Sequence, residues 1–263
     1  VELAERKNVN FIYNSVVTEI LCENNNVVGV EINGNTKKKY EIVISNMDIY
    51  FTYEKLLKNI KTPYRVKNVN SSSSALIFYW GINDSFENLE LHNIFFSKDY
   101  KKEFNSIFNE MEFCDDPTIY LSITSKDNPS DAPAGCENWY VMINTHYDSD
   151  HDWEDLAKRY RKIIIKKIER VLGKSIEKNI VSEEILSPKT IFERTQSYRG
   201  ALYGPSSNDT FSAFHRHPNF TNQLNNLYFC GGSVHPGGGI PMCLLSAKIV
   251  SGLISKKYNS KDL

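Results

Sequence analysis

The stretch that decides the fold runs Asn226-Leu227-Tyr228-Phe229-Cys230, then Gly231-Gly232-Ser233-Val234-His235-Pro236-Gly237-Gly238-Gly239-Ile240-Pro241-Met242, then a run of helical composition from Cys243 to Ser255. The first five residues read as a short buried strand, so the order is strand, glycine loop, helix. Glycines let backbone approach a ligand without Cβ obstruction. The helix start after Pro241 offers N–H groups that lack intrahelical acceptors, together with a partial positive charge. Such a place suits an electron-rich oxygen or a phosphate. The spacing fits neither G-x-G-x-x-G nor the phosphate loop of nucleotide hydrolases, and five glycines alone favour the reading of a tight surface loop.

Upstream, Val9 to Tyr13, Ser15 to Leu21 and Val27 to Ile32 are rich in β-branched and aromatic residues and read as three strands. Asn33-Gly34 is a hairpin signal needing positive φ at both positions, which predicts that the strand ending at Ile32 folds back onto Tyr40 to Ser45. Asp48 to Lys58 has helical composition, with Asp early and Lys late. Ala75 to Trp80, Asn93 to Ser97, Thr118 to Thr124 and Trp139 to Asn144 predict a second, aromatic-rich sheet. The serines 71–74 before it read as a solvated loop or strand edge. Lys98 to Met111 is helical by composition, and Asp127 to Gly135 is punctuated by Asn-Pro and Ala-Pro turns. Trp153, Leu156, Tyr160, Ile163, Ile164, Ile168, Val171 and Leu172 recur at three- and four-residue spacing opposite a Lys/Arg-rich face, predicting a helix over 153–172 that Gly173 ends.

Composition narrows the function classes. Among 263 residues, 31 Lys and Arg balance 32 Asp and Glu, so no global field favours nucleic acid or an anionic membrane. Five cysteines, widely spaced and without a C-x-x-C pair, suggest neither a disulfide framework nor a zinc site. No apolar run approaches the roughly 18 to 20 residues that span a bilayer. The first residue is Val1 rather than Met, and the opening residues read as the end of a helix entering a strand, so a chain that begins in mid-domain is expected.

Residues 226–254 resemble the C-terminal flavin-binding signature of the phytoene-desaturase family of carotenoid desaturases: an N-L-Y strand, then G-x-x-x-H-P-G-x-G-I-P, then a helix containing S-A-K, here Ser246-Ala247-Lys248. The resemblance extends through Ser45-Asn46-Met47-Asp48, the segment Leu91 to Tyr100, Asp116 to Tyr120, Ala132 to Gly135, Tyr198-Arg199-Gly200-Ala201-Leu202-Tyr203-Gly204, and Ala213-Phe214-His215-Arg216-His217-Pro218. Within the family, these last two stretches and the Gly-Gly before His-Pro-Gly look closer to hydroxycarotenoid 3,4-desaturases than to phytoene desaturases proper.

The resemblance implies a mixed α/β (α+β) chain: part of an FAD/NAD(P)-binding flavoprotein fold of the glutathione-reductase type with an inserted mixed-sheet substrate domain. Residues 1–60 and 191–263 would belong to the FAD-binding domain and 61–190 to the substrate domain. The family's N-terminal dinucleotide-binding unit has no counterpart here. FAD is the implied cofactor, since no side chain can accept the hydrogens removed from a polyene. Gly231 and Gly232 would lie near its diphosphate and ribityl chain. Gly237, Gly238, Gly239, Ile240, Pro241 and Met242 would lie along the loop toward the isoalloxazine ring, and the Val17 backbone would meet the adenine. His235 is the candidate base. Arg199 and Arg216 join it as candidate catalytic residues; with His215 and His217 they form a second polar group, better suited to recognising a polar substituent than a metal. Phe78, Tyr79, Trp80, Phe95, Tyr120, Trp139 and Tyr140 are candidates for core or for a tunnel holding a long apolar carotenoid. A lipid-dissolved substrate implies a cytoplasmic protein peripheral to a membrane. Another flavoprotein of the superfamily, such as a carotene isomerase or retinol saturase, and a non-catalytic remnant are the competing readings.

Overall fold

The computed structural model describes residues 1–68, 70–147, 151–206 and 216–259. In chain order it contains α1 (Glu2–Glu5), β1 (Val17–Glu23), β2 (Asn26–Ile32), β3 (Thr36–Lys39), β4 (Val43–Ser45), α2 (Ile49–Phe51, continued by a wider turn over Thr52–Leu56) and α3 (Tyr64–Lys67). There follow β5 (Ser74–Ile82), β6 (His92–Phe95), α4 (Tyr100–Asn105), β7 (Ile119–Ser122), β8 (Glu137–Thr145), α5 (Trp153–Leu172), β9 (Ile180–Leu186) and α6 (Pro188–Thr195). The chain closes with β10 (Leu227–Phe229) and α7 (Ile240–Asn259). It divides into two units, residues 1–68 with 213–263, and residues 69–212. The sequence placed these boundaries at 60 and 190. The second falls later because Ser187 caps α6, which packs against β5 and β9 of the middle unit, and because the chain beyond α6 runs alongside residues 70–74.

The first unit holds the antiparallel meander β1-β2-β3 and the parallel pair β4-β10. Asn33 and Gly34 have φ of 53° and 72°, as their hairpin signal requires, but the strand that folds back is Thr36–Lys39, with Ile32 opposite Thr36. Val43–Ser45 pairs instead with β10, far away in sequence. Val9 to Tyr13 forms no strand; it lies between the positive-φ residues Asn8 and Asn14 and leaves Phe11, Ile12 and Tyr13 exposed. The core joins Ile20, Val27, Tyr53 and Leu57 from the first segment to Leu227, Phe229 and Val234 from the last.

The middle unit is a five-stranded antiparallel sheet of order β6-β7-β8-β5-β9, with α5 on one face. Because strand side chains alternate between faces, Leu76, Phe78 and Trp80 point with their partners Ile143, Val141 and Trp139 into the core shared with Tyr160, Ile164 and Ile168 of α5. Asp152 caps α5 by accepting from the N–H groups of Glu154 and Asp155, and Gly173 ends it at φ 66°. The four serines are buried, contrary to the solvated loop expected of them. They run beside residues 200–205: the Ser74 hydroxyl donates to the Gly200 carbonyl at 2.6 Å, and the Ser72 hydroxyl accepts from the Tyr203 N–H.

Candidate flavin site

β10 delivers the chain to Cys230, whose N–H donates to the Ser45 carbonyl at the end of β4. The next residue supplies the side chain that secures the turn: Asn46 Nδ2 donates to the Cys230 carbonyl at 3.0 Å. Gly231, with φ 114°, lies against the same amide. A Cβ there would stand 2.7 Å from Asn46 Nδ2, so only glycine fits both the backbone and the contact. Ser233 turns back and its hydroxyl accepts from the Ile49 N–H at the start of α2.

Two buried polar residues hold the loop to its surroundings. Asn219 Nδ2 donates to the carbonyls of Phe229 (3.0 Å) and His235 (2.9 Å) and meets Ser246 Oγ at 2.8 Å. Ser246, fully buried in α7, also accepts from the Gly231 N–H. Arg216 is buried as well; its Nη1 donates to the Gly232 carbonyl at 2.8 Å, and its guanidinium lies beside Gly237, where a Cβ would be 3.3 Å from Nε. Burial pulls the Arg216 pKa down from its usual value. Beside it, His217 Nδ1 meets the Pro218 carbonyl at 2.7 Å. That oxygen can only accept, so Nδ1 carries the proton and Nε2 accepts from the Tyr53 hydroxyl at 3.1 Å. Burial lowers the His217 pKa, with the Pro218 carbonyl opposing.

Beyond the cis His235–Pro236 bond the loop opens. Gly239, at φ 96°, has nothing within 4 Å of where a Cβ would be, and α7 begins at the next residue. Ile240 and Met242 carry first-turn N–H groups that an α-helix leaves without internal acceptors; Pro241, between them, has none to offer. Their side chains are 79% and 42% exposed, so an apolar rim surrounds a polar helix end. A flat heteroaromatic ring with an electron-rich edge suits that combination, and the glycine backbone gives it room. The residues present therefore fit a flavin.

The predicted site residues separate into groups. Gly231, Gly232, Gly237, Gly238, Gly239, Ile240, Pro241, Met242, His235 and Arg216 share the loop and its surroundings, with the His235 side chain exposed. Val17 opens β1 opposite Ile32 in the same unit. Arg199 belongs to the middle unit, where its guanidinium lies over the rings of Tyr147 and Tyr198 at 5.4 and 5.1 Å. His215 falls outside the described residues. Asn219 and the role of Ser246 were not foreseen. Asn219 follows His217-Pro218 with no motif of its own, and its partners lie 10 to 27 residues away. Of the aromatic candidates, Phe78, Trp80, Phe95 and Trp139 are core, whereas Tyr79, Tyr120 and Tyr140 lie on the opposite sheet face and border a cleft of about 910 Å³. Among the described residues no three His, Cys, Asp or Glu side chains come together as a metal site would need, and no helix is long and apolar enough to cross a membrane.

No family model matches the chain. Individual proteins do. It is 52% identical over 253 residues to a 1-hydroxycarotenoid 3,4-desaturase of Flavobacterium sp. (strain P99-3), covering 96% of this chain and 52% of that protein. It is 31% identical to a 4,4'-diapolycopene oxygenase of Methylomonas sp., over 95% of this chain and 51% of that one. A 4,4'-diaponeurosporene oxygenase of Staphylococcus aureus (strain MSSA476) matches at 32%, over 97% and 52%. The similarity to these carotenoid desaturase and oxygenase sequences runs along nearly the whole of this chain, and the chain spans about half the length of the curated relatives it matches. Among solved structures, an oxidoreductase from Methanosarcina mazei superposes with TM-score 0.60 at 13% identity, covering 90% of this chain and 49% of that one. A putrescine oxidase variant superposes with TM-score 0.57 at 10% identity, over 93% and 49%. The mixed α/β fold expected from the sequence is the one these oxidoreductases share.

Proposed function

We propose that this protein, a relative of carotenoid desaturases, introduces a double bond into a long apolar carotenoid, such as phytoene or a 1-hydroxycarotenoid, using FAD held at the glycine loop and the start of α7. The observation that carries the reading is that loop: open backbone at Gly239, a helix N-terminus behind it, and a buried guanidinium alongside. Bound there, a flavin supplies the electron acceptor that no side chain offers.

In this reading the unit of 1–68 with 213–263 holds the cofactor and residues 69–212 receive the substrate. The backbone at Gly231 and Gly232 borders the diphosphate and ribityl chain, Gly237 to Met242 border the ring, and Val17 meets the adenine through its backbone. The first turn of α7 stabilises negative charge at the ring edge, and Arg216 adds a fixed positive charge while holding Gly232 in place. His235, exposed on the loop, takes the proton whose loss completes the double bond. Arg199 would meet a polar group on the ligand. A substrate dissolved in lipid favours a cytoplasmic protein peripheral to a membrane. Relatives named as oxygenases at 31% and 32% identity support a second reading, oxygenation, and the 52% identity to a desaturase favours the first.

The test is a visible spectrum of the purified full-length protein, followed by anaerobic addition of phytoene or a 1-hydroxycarotenoid. A flavin band that bleaches on addition, with a product of higher unsaturation, is expected. A bound flavin that neither carotenoid bleaches overturns desaturation, and a colourless protein that takes up no FAD overturns the cofactor.

A further inference from the structure

We infer that the open face of the middle-unit sheet carries a recognition site for a hydroxyl group at the end of an otherwise apolar ligand, built on Ser122 and Tyr140. The inference deepens the carotenoid reading above and rests on it for the identity of the ligand.

The strand register lays this face out in rows. Ile94, Tyr120, Met142, Ile77 and Leu186 face one another across β6, β7, β8, β5 and β9, a largely apolar row. Two residues along each strand, and so on the same face, comes His92, Ser122, Tyr140, Tyr79 and Glu184. Two further along, Asn138, Gly81 and Ser182 stand side by side. The face therefore grades from apolar through aromatic to polar along the strand direction, which is the polarity profile of a long hydrocarbon with an oxygenated end. Gly81 keeps the polar end open: a Cβ there would come within 2.3 Å of Ser182 Oγ. The cleft, at about 910 Å³, takes a drug-sized segment of a ligand.

Most polar groups around this cleft already have partners. Tyr120 meets His92 Nδ1 at 2.9 Å, Asn138 donates to Thr124 at 2.7 Å, Glu183 accepts from Trp80 Nε1 and Arg161, and Glu184 from Arg194. The Tyr79 and Ser182 hydroxyls belong to exposed residues, where water serves them; two others differ. Ser122 lines the cleft at 8% exposure, and its hydroxyl has no hydrogen bond among the described residues. Tyr140, directly opposite it, donates only to the Met142 thioether at 3.4 Å, a weak acceptor, and keeps its oxygen lone pairs for an incoming donor. The rings of Tyr79 and Tyr120, 5.5 and 6.1 Å from that of Tyr140 between centroids and set edge-on to it, fix the phenol in position. A ligand hydroxyl set between the pair accepts from Ser122 and donates to Tyr140, and a ligand ending in hydrocarbon leaves both unanswered.

The experiment measures, on the full-length protein in detergent, the Kd of an acyclic carotenoid bearing a 1-hydroxyl group and of the same carotenoid without it. Wild type is expected to prefer the hydroxylated form by roughly tenfold or more, the scale of a buried hydrogen bond left unmade. Ser122→Ala and Tyr140→Phe should each reduce that ratio severalfold while leaving the affinity for the unhydroxylated carotenoid unchanged, which also reports that both variants are folded. No preference in wild type, or a preference that survives both substitutions, overturns the inference. A short acyclic terpene alcohol and its hydrocarbon, run in parallel, separate the two levels of the argument. If neither carotenoid binds but the alcohol is preferred in a Ser122-dependent way, the hydroxyl site stands and the carotenoid reading falls.

Discussion

Asn219 fastens the glycine loop at three points through one amide, two of them the carbonyls of Phe229 and His235 on either side of the first turn and the third the Ser246 hydroxyl in α7. Each buried acceptor left without a donor costs about 1–3 kcal/mol, because its water has been removed and nothing replaces it. Asn219→Ala is therefore expected to destabilise the protein by about 2–5 kcal/mol, read as a lower urea midpoint, and to lower its FAD content; a stability change under about 0.5 kcal/mol would show that the loop holds itself. The glycines of this loop were legible in the sequence because open backbone has a residue type of its own. The amide that holds them was not, since an Asn beside a proline looks the same whether its partners are solvent or three groups brought from 10, 16 and 27 residues away. Arg216 was legible as a polar candidate, but its burial and its bond to Gly232 are tertiary facts.

At the scale of elements, what could be read was whatever local chemistry decides. α5 matches its expected range of 153–172, since the apolar spacing, the Asp152 cap and the terminal Gly173 all act within one turn of the residues they govern. Asn33-Gly34 likewise fixed a turn, but the turn does not choose its partner, and Tyr40 to Ser45 yielded to Thr36–Lys39. β9 is hard to read in the sequence because it is an edge strand whose Val181, Ser182, Glu183 and Glu184 are exposed on both faces, a pattern that protects an edge and disguises a strand. The buried serines differ for the opposite reason: the hydroxyls of Ser74 and Ser72 bond the backbone of Gly200 and Tyr203, which no local rule anticipates. The helix itself gives the quantitative check. Ile164 is fully buried against the sheet, so Ile164→Ala should cost about 2–5 kcal/mol in chemical denaturation, transfer and cavity together. Lys162→Ala, on the charged face two residues earlier, should stay within about 0.5 kcal/mol. Equal losses at both positions would mean that α5 is not amphipathic in the way its packing implies.

At the scale of the whole molecule the two cores are connected differently to the chain. The core of the middle unit, from Leu76 to Ile176 with Ile180 and Ile185 packed on it, lies entirely within 69–212, on a sheet whose five strands all come from that segment. A stretch of this size approaches the 150-residue domain that buries about 68–70% of its unfolded surface, enough to fold unaided. The core of the first unit draws Ile20, Ile49, Tyr53 and Leu57 from one end of the sequence and Leu224, Leu227, Phe229 and Val234 from the other, and β4 has its only described strand partner in β10. Residues 69–212 expressed alone should accordingly show a single cooperative thermal transition by circular dichroism, while residues 1–68 alone should show none. Adding 213–263 in trans should restore structure to 1–68, because it returns the other half of that core. A cooperative transition in 1–68 by itself would mean that its meander carries more of the stability than the shared core does, and a middle segment that stays unfolded would mean that its stability depends on the rest of the chain.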